Sequence, residues 1–169
     1  MDLSSLVDTL RGAAAYRNLV RQLRLHGSID EPLRLPRSAR GLLAAALVSD
    51  LRRPILLVAS RPDRLLTLQE EIASWSPALH SLTYASPTPL FYETEPWGPR
   101  TIHQRIEVLA DLALGGDAGP AGRVVLAAAK GLITHTLSPD QFRAHTRVIR
   151  RGESVRYDGL LASLMGAGY

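Results

Sequence analysis

The stretch from Leu33 to Ser60, LRLPRSARGLLAAALVSDLRRPILLVAS, restricts the possible folds more than any other part of the chain. It predicts a strand, a short loop, an Ala/Leu-rich helix and a second strand. Pro36 ends the first strand because proline cannot donate to a sheet ladder, and Ser38 is a favourable N-cap for the helix. The apolar run Ile55–Ala59 is typical of a parallel strand covered on both faces. In α/β nucleotide-binding proteins, the phosphate-binding loop lies at such a strand–helix junction.

The rest of the chain continues this alternation. Strands are predicted over 31–35, 55–59, 81–85 and 124–128, and helices over 2–25, over 39–51, after Asp63 and from Thr101. Gly12 is expected to divide the first helix, and Gly27 to end it. This order predicts an α/β fold, a parallel sheet with helices on both faces. Helices over 1–30 would precede a nucleotide-binding-like domain over 31–144.

Three of the predicted helices carry an apolar stripe at helical spacing, and each stripe is expected to face inward. The stripes are Leu42, Leu43, Ala46 and Leu47; Leu65, Leu68, Ile72 and Trp75; and Ile102, Ile106, Leu109 and Ala113.

The character of the chain changes beyond Leu137. Ser138-Pro139 starts a short helical turn, His145–Arg150 is predicted as a more polar strand, and Ser154 is expected to cap a final helix that ends at Gly166. One strand and one helix bury little on their own. Residues 145–169 are therefore interpreted as the start of a second, small α+β unit that is cut short.

The phosphate-loop position lacks the chemistry of a phosphate loop. Such a loop reads G-x-x-x-x-G-K-S/T, with glycines for backbone contact, a lysine for the outer phosphates and a hydroxyl for magnesium. The stretch at this position is Pro36, Arg37, Ser38, Ala39, Arg40, Gly41 and Leu42. It has no lysine, although Arg37 and Arg40 could touch an anion at a helix N-terminus. Neither tight magnesium-nucleotide binding nor any other cofactor is expected.

Other catalytic and metal-binding patterns are also missing from the sequence. The five histidines show no H-x-x-x-H spacing, and there are no cysteines, so no metal site is expected. Glu93 and Glu95 form a close acidic pair, for which a solvated or arginine-paired role is favoured over acid–base work. No G-x-S-x-G nucleophile elbow occurs. The sequence therefore argues against an enzyme.

The positive charge is almost entirely arginine, since Lys130 is the single lysine in a chain of net charge +4. Arg17, Arg21 and Arg24 fall on one side of the first helical segment, either as a solvated flank or as a face for an acidic partner or a phosphate. Arg147, Arg150 and Arg151 form a second candidate interaction surface. No signal peptide or membrane span is evident, which predicts a soluble, cytoplasmic protein.

Several blocks in order resemble one known family. The blocks are LRLPRSARGLLAAAL, PILLVASRPDRLLTLQEEI, LFYETEPWGPRTIHQRIEVLADL, RVVLAAAKGLITHTLSPDQF and VIRRGESVRYDGLLASLMGAGY. Together, over about 31–169, they resemble the N-terminal module of the bacterial transcription-repair coupling factors (the Mfd family), which is itself similar to the excision-repair protein UvrB. UvrB carries an intact phosphate loop and a long DNA-binding hairpin. This chain has neither a lysine in the loop nor room for the hairpin before Thr101.

The resemblance implies a non-catalytic module that recruits the damage-recognition protein UvrA. It also implies that RNA polymerase and double-stranded DNA are partners of the full-length family protein, which is an ATP-dependent DNA translocase. In the family the principal UvrA contacts would lie beyond Tyr169, so this chain is expected to be a fragment. Two alternatives remain: a fragment of an ATP-dependent DNA helicase or UvrB-like subunit that uses Arg37 and Arg40, and a generic basic DNA-binding domain.

Overall fold

The computed structural model describes residues 4–88, 96–115 and 122–166. Eight helices and three strands lie within these ranges. The helices are α1 Ser4–Gly12, α2 Ala14–His26, α3 Arg37–Leu51, α4 Arg64–Trp75, α5 Pro99–Ala113, α6 Ala129–Ile133, α7 Pro139–Ala144 and α8 Tyr157–Gly166; the strands are β1 Ile55–Ala59, β2 His80–Tyr84 and β3 Arg123–Ala128.

The three strands form a parallel sheet in the order β1-β3-β2. In the register, Leu57 of β1 lies opposite Leu126 of β3, and Val125 of β3 lies opposite Leu82 of β2. The β1–α4–β2 crossover skips one strand position, and β2–α5–β3 returns to fill it. Such crossovers are right-handed. Because the two crossovers run in opposite directions across the sheet, α4 and α5 lie on opposite faces of the sheet. The predicted α/β fold, a parallel sheet with helices on both faces, is confirmed.

The main core lies between the sheet and the helices α3 and α4. Ile72 of α4, Val48 of α3, and Val124 and Leu126 of β3 are completely buried there. Each buried aliphatic side chain of this size stabilises the fold by about 1.5–3 kcal/mol. The predicted inner stripe of α4 is confirmed, with Leu65 and Ile72 buried and the other two members packed against the same cluster.

The opposite face of the sheet is covered only in part. α5 packs on β2 and buries Leu82, Tyr84, Val125 and Ala127 together with its own Val108. β1 lies at the edge of the sheet, and on this face its side chains Leu56 and Val58 remain 51% and 54% exposed. The expectation that β1 is covered on both faces was therefore wrong, because the helix on this face lies over the other edge.

The buried stripe of α5 differs from the predicted one. Arg105 and Val108 are 3% and 2% exposed, whereas Ile102 and Ile106 are 41% and 51% exposed. The helix is rotated so that a position just before Ile106 faces inward, and that position holds an arginine. Ile102 and Ile106 are consequently not the core residues that their spacing predicted.

The N-terminal helices pack on the outer side of α3. Val7 of α1 and Tyr16 of α2 form a cluster with Ala46 of α3. The predicted break near Gly12 is confirmed, since α1 ends at this residue and α2 begins at Ala14. Gly27 ends α2 in the left-handed conformation (φ 74°), and its N–H donates to the carbonyl oxygen of Leu23, as predicted.

The expected strand over 31–35 is absent. Residues 32–36 have no regular structure, and the N–H of Leu35 donates to the carbonyl oxygen of Leu33 at 3.1 Å. Pro32 and Pro36 bracket the segment and remove two donors that a sheet ladder would use. Helix α3 begins directly after Pro36, so Ser38 lies in its first turn and is not the N-cap.

The segment after Ile133 is only partly as predicted. Ser138 caps α7 in a reciprocal capping box with Gln141, which confirms the expected helical turn. The expected strand over 145–150 is wrong, because these residues have no strand partner within the described ranges. Helix α8 begins at Tyr157, three residues after the predicted cap Ser154, and none of its residues is buried.

Candidate functional site

The three strands end at one edge of the sheet, because parallel strands share a direction. β1 ends at Ala59, β2 at Tyr84 and β3 at Ala128. Ligands of open parallel sheets bind outside this carboxyl edge. A ligand site is therefore expected at this edge of the sheet.

A cleft of about 350 Å³ lies at the carboxyl end of β1. Residues 57–60 form one side of it, and the first turns of α3 and α4 contribute the exposed arginines Arg37, Arg40 and Arg64. Glu71 also lines the cleft; its Oε2 is buried and has no hydrogen-bond partner among the described residues. With three guanidinium groups against one carboxyl group, the cleft favours an anion.

Residues 36–42, predicted as the degenerate phosphate-loop position, do not form a loop. Pro36 is the N-cap of α3, and residues 37–42 are helical. Gly41 is buried against α4, and a Cβ there would lie 3.3 Å from the Glu71 Cβ and 3.4 Å from Trp75 Cδ1. The single glycine of this stretch therefore permits close packing of two helices. The structure brings Arg37 and Arg40 together at the cleft, and adds Arg64, which the sequence did not single out.

A buried arginine lies at the carboxyl ends of β2 and β3. Nη1 of Arg105 donates to the carbonyl oxygens of Ala85 and Gly131 at 3.0 and 3.1 Å. Its guanidinium group also lies against the rings of Tyr84 and Trp97. Burial lowers the pKa of Arg105. Nη2 is buried without a hydrogen-bond partner among the described residues.

The sequence did not indicate Arg105, because Ile102 and Ile106 on either side of it already satisfied the helical spacing of a buried apolar stripe. Its partners come from three separate parts of the chain, and nothing in the spacing connects them. Lys130 lies at the same edge, where Nζ donates to the carbonyl oxygen of Thr88 at 3.2 Å. Both cations therefore hold the segment that follows β2, and Arg105 also holds α6.

The second predicted surface, Arg147, Arg150 and Arg151, lies in an irregular segment. All three side chains are exposed. The segment turns at Gly152, where the N–H of Arg150 donates to Oε2 of Glu153 and the N–H of Glu153 donates back to the Arg150 carbonyl oxygen, each at 3.0 Å. The three arginines share one exposed stretch but do not form a strand face.

No group of three or more histidine, aspartate or glutamate side chains within the described ranges is placed to hold a metal ion. The predicted acidic pair, Glu93 and Glu95, lies outside the described residues. In the same described part of the chain, no helix combines the length and apolar character that a bilayer span requires.

The fold and the cleft define a small parallel-sheet α/β protein with a basic carboxyl edge. No protein-family model, curated protein or solved structure that was compared with the chain matches it.

Proposed function

We propose that this chain is the N-terminal module of a cytoplasmic transcription-repair coupling factor, a non-catalytic unit that helps to recruit UvrA. The observation that carries the proposal is the packing of Gly41 of α3 against Glu71 and Trp75 of α4. A phosphate loop needs free backbone N–H groups and glycines that face the ligand. Here the residues at that position are helical, and the glycine faces another helix. In this proposal the domain is a degenerate, helicase-like nucleotide-binding fold.

Exposed apolar surface supports a role in protein contacts. Leu56 and Val58 form an uncovered strip on β1, and Tyr157 and Met165 of α8 are 71% and 72% exposed. Large apolar side chains that stay exposed are a feature of protein docking sites where they cluster, as Leu56 and Val58 do on β1. The ordered blocks of sequence that resemble the coupling-factor family point to the excision-repair machinery as the partner.

Calorimetry with magnesium-ATP tests the non-catalytic part of the proposal. We expect no binding heat at nucleotide concentrations up to about the millimolar range, which corresponds to less than about 4 kcal/mol of binding free energy. Micromolar binding that disappears in the Arg37→Gln/Arg40→Gln variant would contradict the proposal, since it would place a nucleotide in the cleft.

Capture of purified UvrA tests the recruiting role. The 169-residue chain and a gene product extended beyond Tyr169 are immobilised side by side; weak capture is expected from the former and clear capture from the latter. In the extended protein, we expect Arg147→Gln/Arg150→Gln/Arg151→Gln to reduce capture. The matched control removes the same charge from the cleft (Arg37→Gln/Arg40→Gln/Arg64→Gln) and is expected to have no effect. Failure of the extended protein to capture UvrA would contradict the role.

The basic cleft favours one alternative. Three arginines around a cleft at the carboxyl end of a parallel strand suit the phosphates of a nucleotide in an ATP-dependent helicase or UvrB-like protein. The calorimetric experiment decides between the two functions, because only the alternative requires the nucleotide.

A further inference from the structure

A second basic feature lies away from the sheet edge, between α2 and the C-terminal end of α3. It is a groove of about 1100 Å³ whose charged lining consists of five arginines and one aspartate: Arg11, Arg17, Arg21, Arg24, Arg52 and Asp50. Five positive charges against one negative leave an excess of four among the residues that line the groove. The groove therefore carries a local excess of positive charge, which favours an anionic partner.

Asp50, the one acidic residue that lines the groove, already accepts hydrogen bonds from other groove residues. Asp50 accepts hydrogen bonds from Nε of Arg11 at 3.1 Å and from the hydroxyl of Tyr16 at 2.6 Å. Nη2 of Arg24 donates to the backbone oxygen of the same aspartate at 2.7 Å. These contacts fix the two arginines in place, and they leave Asp50 with little capacity to neutralise the rest of the groove.

Two arginines of the groove have no structural role among the described residues. Arg21 and Arg52 are exposed, and neither forms a hydrogen bond or ion pair with a side chain in the described ranges. Arg52 also has φ 51° at the C-cap of α3, a conformation that glycine adopts more easily. A cation therefore occupies a position where the backbone favours glycine.

The groove also has an aliphatic lining. Val20, Leu25 and Leu51 contribute to it, and Leu25 is 70% exposed. We propose that this groove binds an acidic amphipathic segment of a partner protein, with carboxylates on the arginines and aliphatic side chains on Leu25 and Val20. Guanidinium groups match carboxylates in a bidentate geometry, whereas the outside of a nucleic acid offers phosphates but little aliphatic surface. The inference does not depend on the proposed recruitment of UvrA.

Fluorescence anisotropy with labelled probes tests the partner class. The first probe is a helical peptide with glutamates on one side and leucines on the other. The second replaces its glutamates with glutamine, the third is polyglutamate of equal length, and the fourth is a 20-base-pair duplex. We expect the first probe to bind most tightly, polyglutamate more weakly and the glutamine peptide not at all. Tighter binding of the duplex than of the acidic peptide would overturn the proposal.

Two charge-matched variants test the location. Arg21→Gln/Arg52→Gly removes two charges from the groove without removing an internal contact, and Arg37→Gln/Arg40→Gln removes two from the cleft at the sheet edge. Exposed ion pairs predict a loss of about two- to fivefold in affinity for each groove charge. The control should stay within about twofold, because distant charges are screened by salt. Equal losses in both variants, or no loss in the groove variant, would overturn the assignment of the groove.

Discussion

The guanidinium carbon of Arg105 lies 4.0 Å from the centre of the Tyr84 ring and 4.8 Å from the centre of the Trp97 ring. The same side chain donates to the carbonyl oxygen of Ala85, directly after β2, and to that of Gly131 in α6. It therefore ties α5 to the segment after β2 and to α6 at the carboxyl edge. A planar guanidinium group can donate in its plane while its face lies on an aromatic ring, which an ammonium group cannot do.

This geometry predicts that lysine cannot replace Arg105. We expect Arg105→Lys to lower the free energy of unfolding by about 1–3 kcal/mol, because buried carbonyl oxygens lose their donors. Arg105→Ala should cost about 3 kcal/mol or more, since it also leaves a cavity. Urea unfolding measures both values. Arg100→Lys on the exposed side of the same helix is the control, and equal stability of the Arg105→Lys and Arg100→Lys variants would refute the structural role.

Gly122 is the second position where the structure forbids a simple replacement. Its φ is 91°, and an added Cβ would collide with Cγ1 of Val48 in the core. We expect Gly122→Ala to lower the free energy of unfolding by about 2–4 kcal/mol, from backbone strain and overpacking together. Gly12→Ala should be close to neutral, because no atom lies within 4 Å of a Cβ at that position.

The collision with Val48 can be separated from the backbone strain by a double-mutant cycle. Val48→Ala removes the methyl groups that the new Cβ would meet, so Gly122→Ala should cost less in that background by about 1 kcal/mol or more. A cost that is the same in both backgrounds would show that the effect comes from the backbone alone.

The environment of the Tyr16 hydroxyl group predicts that the protein loses stability at alkaline pH. Burial, and then the hydrogen bond to Asp50, raise the pKa of Tyr16 above its ordinary value of 10.0. The unfolded chain therefore gives up the phenolic proton before the folded protein does. The stabilisation is complete below about pH 10 and is lost as the pH rises towards the folded-state pKa.

The test compares the protein with its Tyr16→Phe variant by urea unfolding at pH 8, 10 and 11. We expect the variant to be less stable by about 1.5–3 kcal/mol at pH 8, the usual contribution of a hydrogen bond to a charged group. The difference should shrink at pH 11. A gap that stays constant over this range would mean that Tyr16 titrates normally.

Much of the sheet could be predicted from the sequence, for a physical reason. The strands 55–59 and 124–128 are short apolar runs bounded by turn residues, and α4 buries the apolar stripe that its spacing predicts. Because these signals are local, β1 and β3 form at the residues that the sequence predicts. The predicted strand over 31–35 failed because alternation alone does not supply a neighbouring strand, and two prolines remove its donors.

The polar contacts could not be predicted, since their partners are distant in sequence. Asp50 accepts from Arg11 and Tyr16, which lie 39 and 34 residues away along the chain. Arg105 meets Tyr84 only because β2 and α5 pack against each other. The grouping of Arg17, Arg21 and Arg24 was predictable from helical spacing, but the contribution of Arg52 from the end of α3 required the fold.

Arg52 leads to a prediction of increased stability. It is the one residue other than glycine with a positive φ in the described ranges, and its N–H donates to the Val48 carbonyl oxygen to close α3. Glycine at such a cap avoids the Cβ penalty of about 1 kcal/mol. We expect Arg52→Gly to raise the free energy of unfolding by about 0.5–1 kcal/mol.

Arg53→Gly makes the same charge change at a residue without a positive φ, and it should lower stability because glycine adds entropy to the unfolded chain. Thermal unfolding of the two variants measures the difference. If both variants shift the unfolding temperature in the same direction, charge and not backbone conformation determines the effect at this cap.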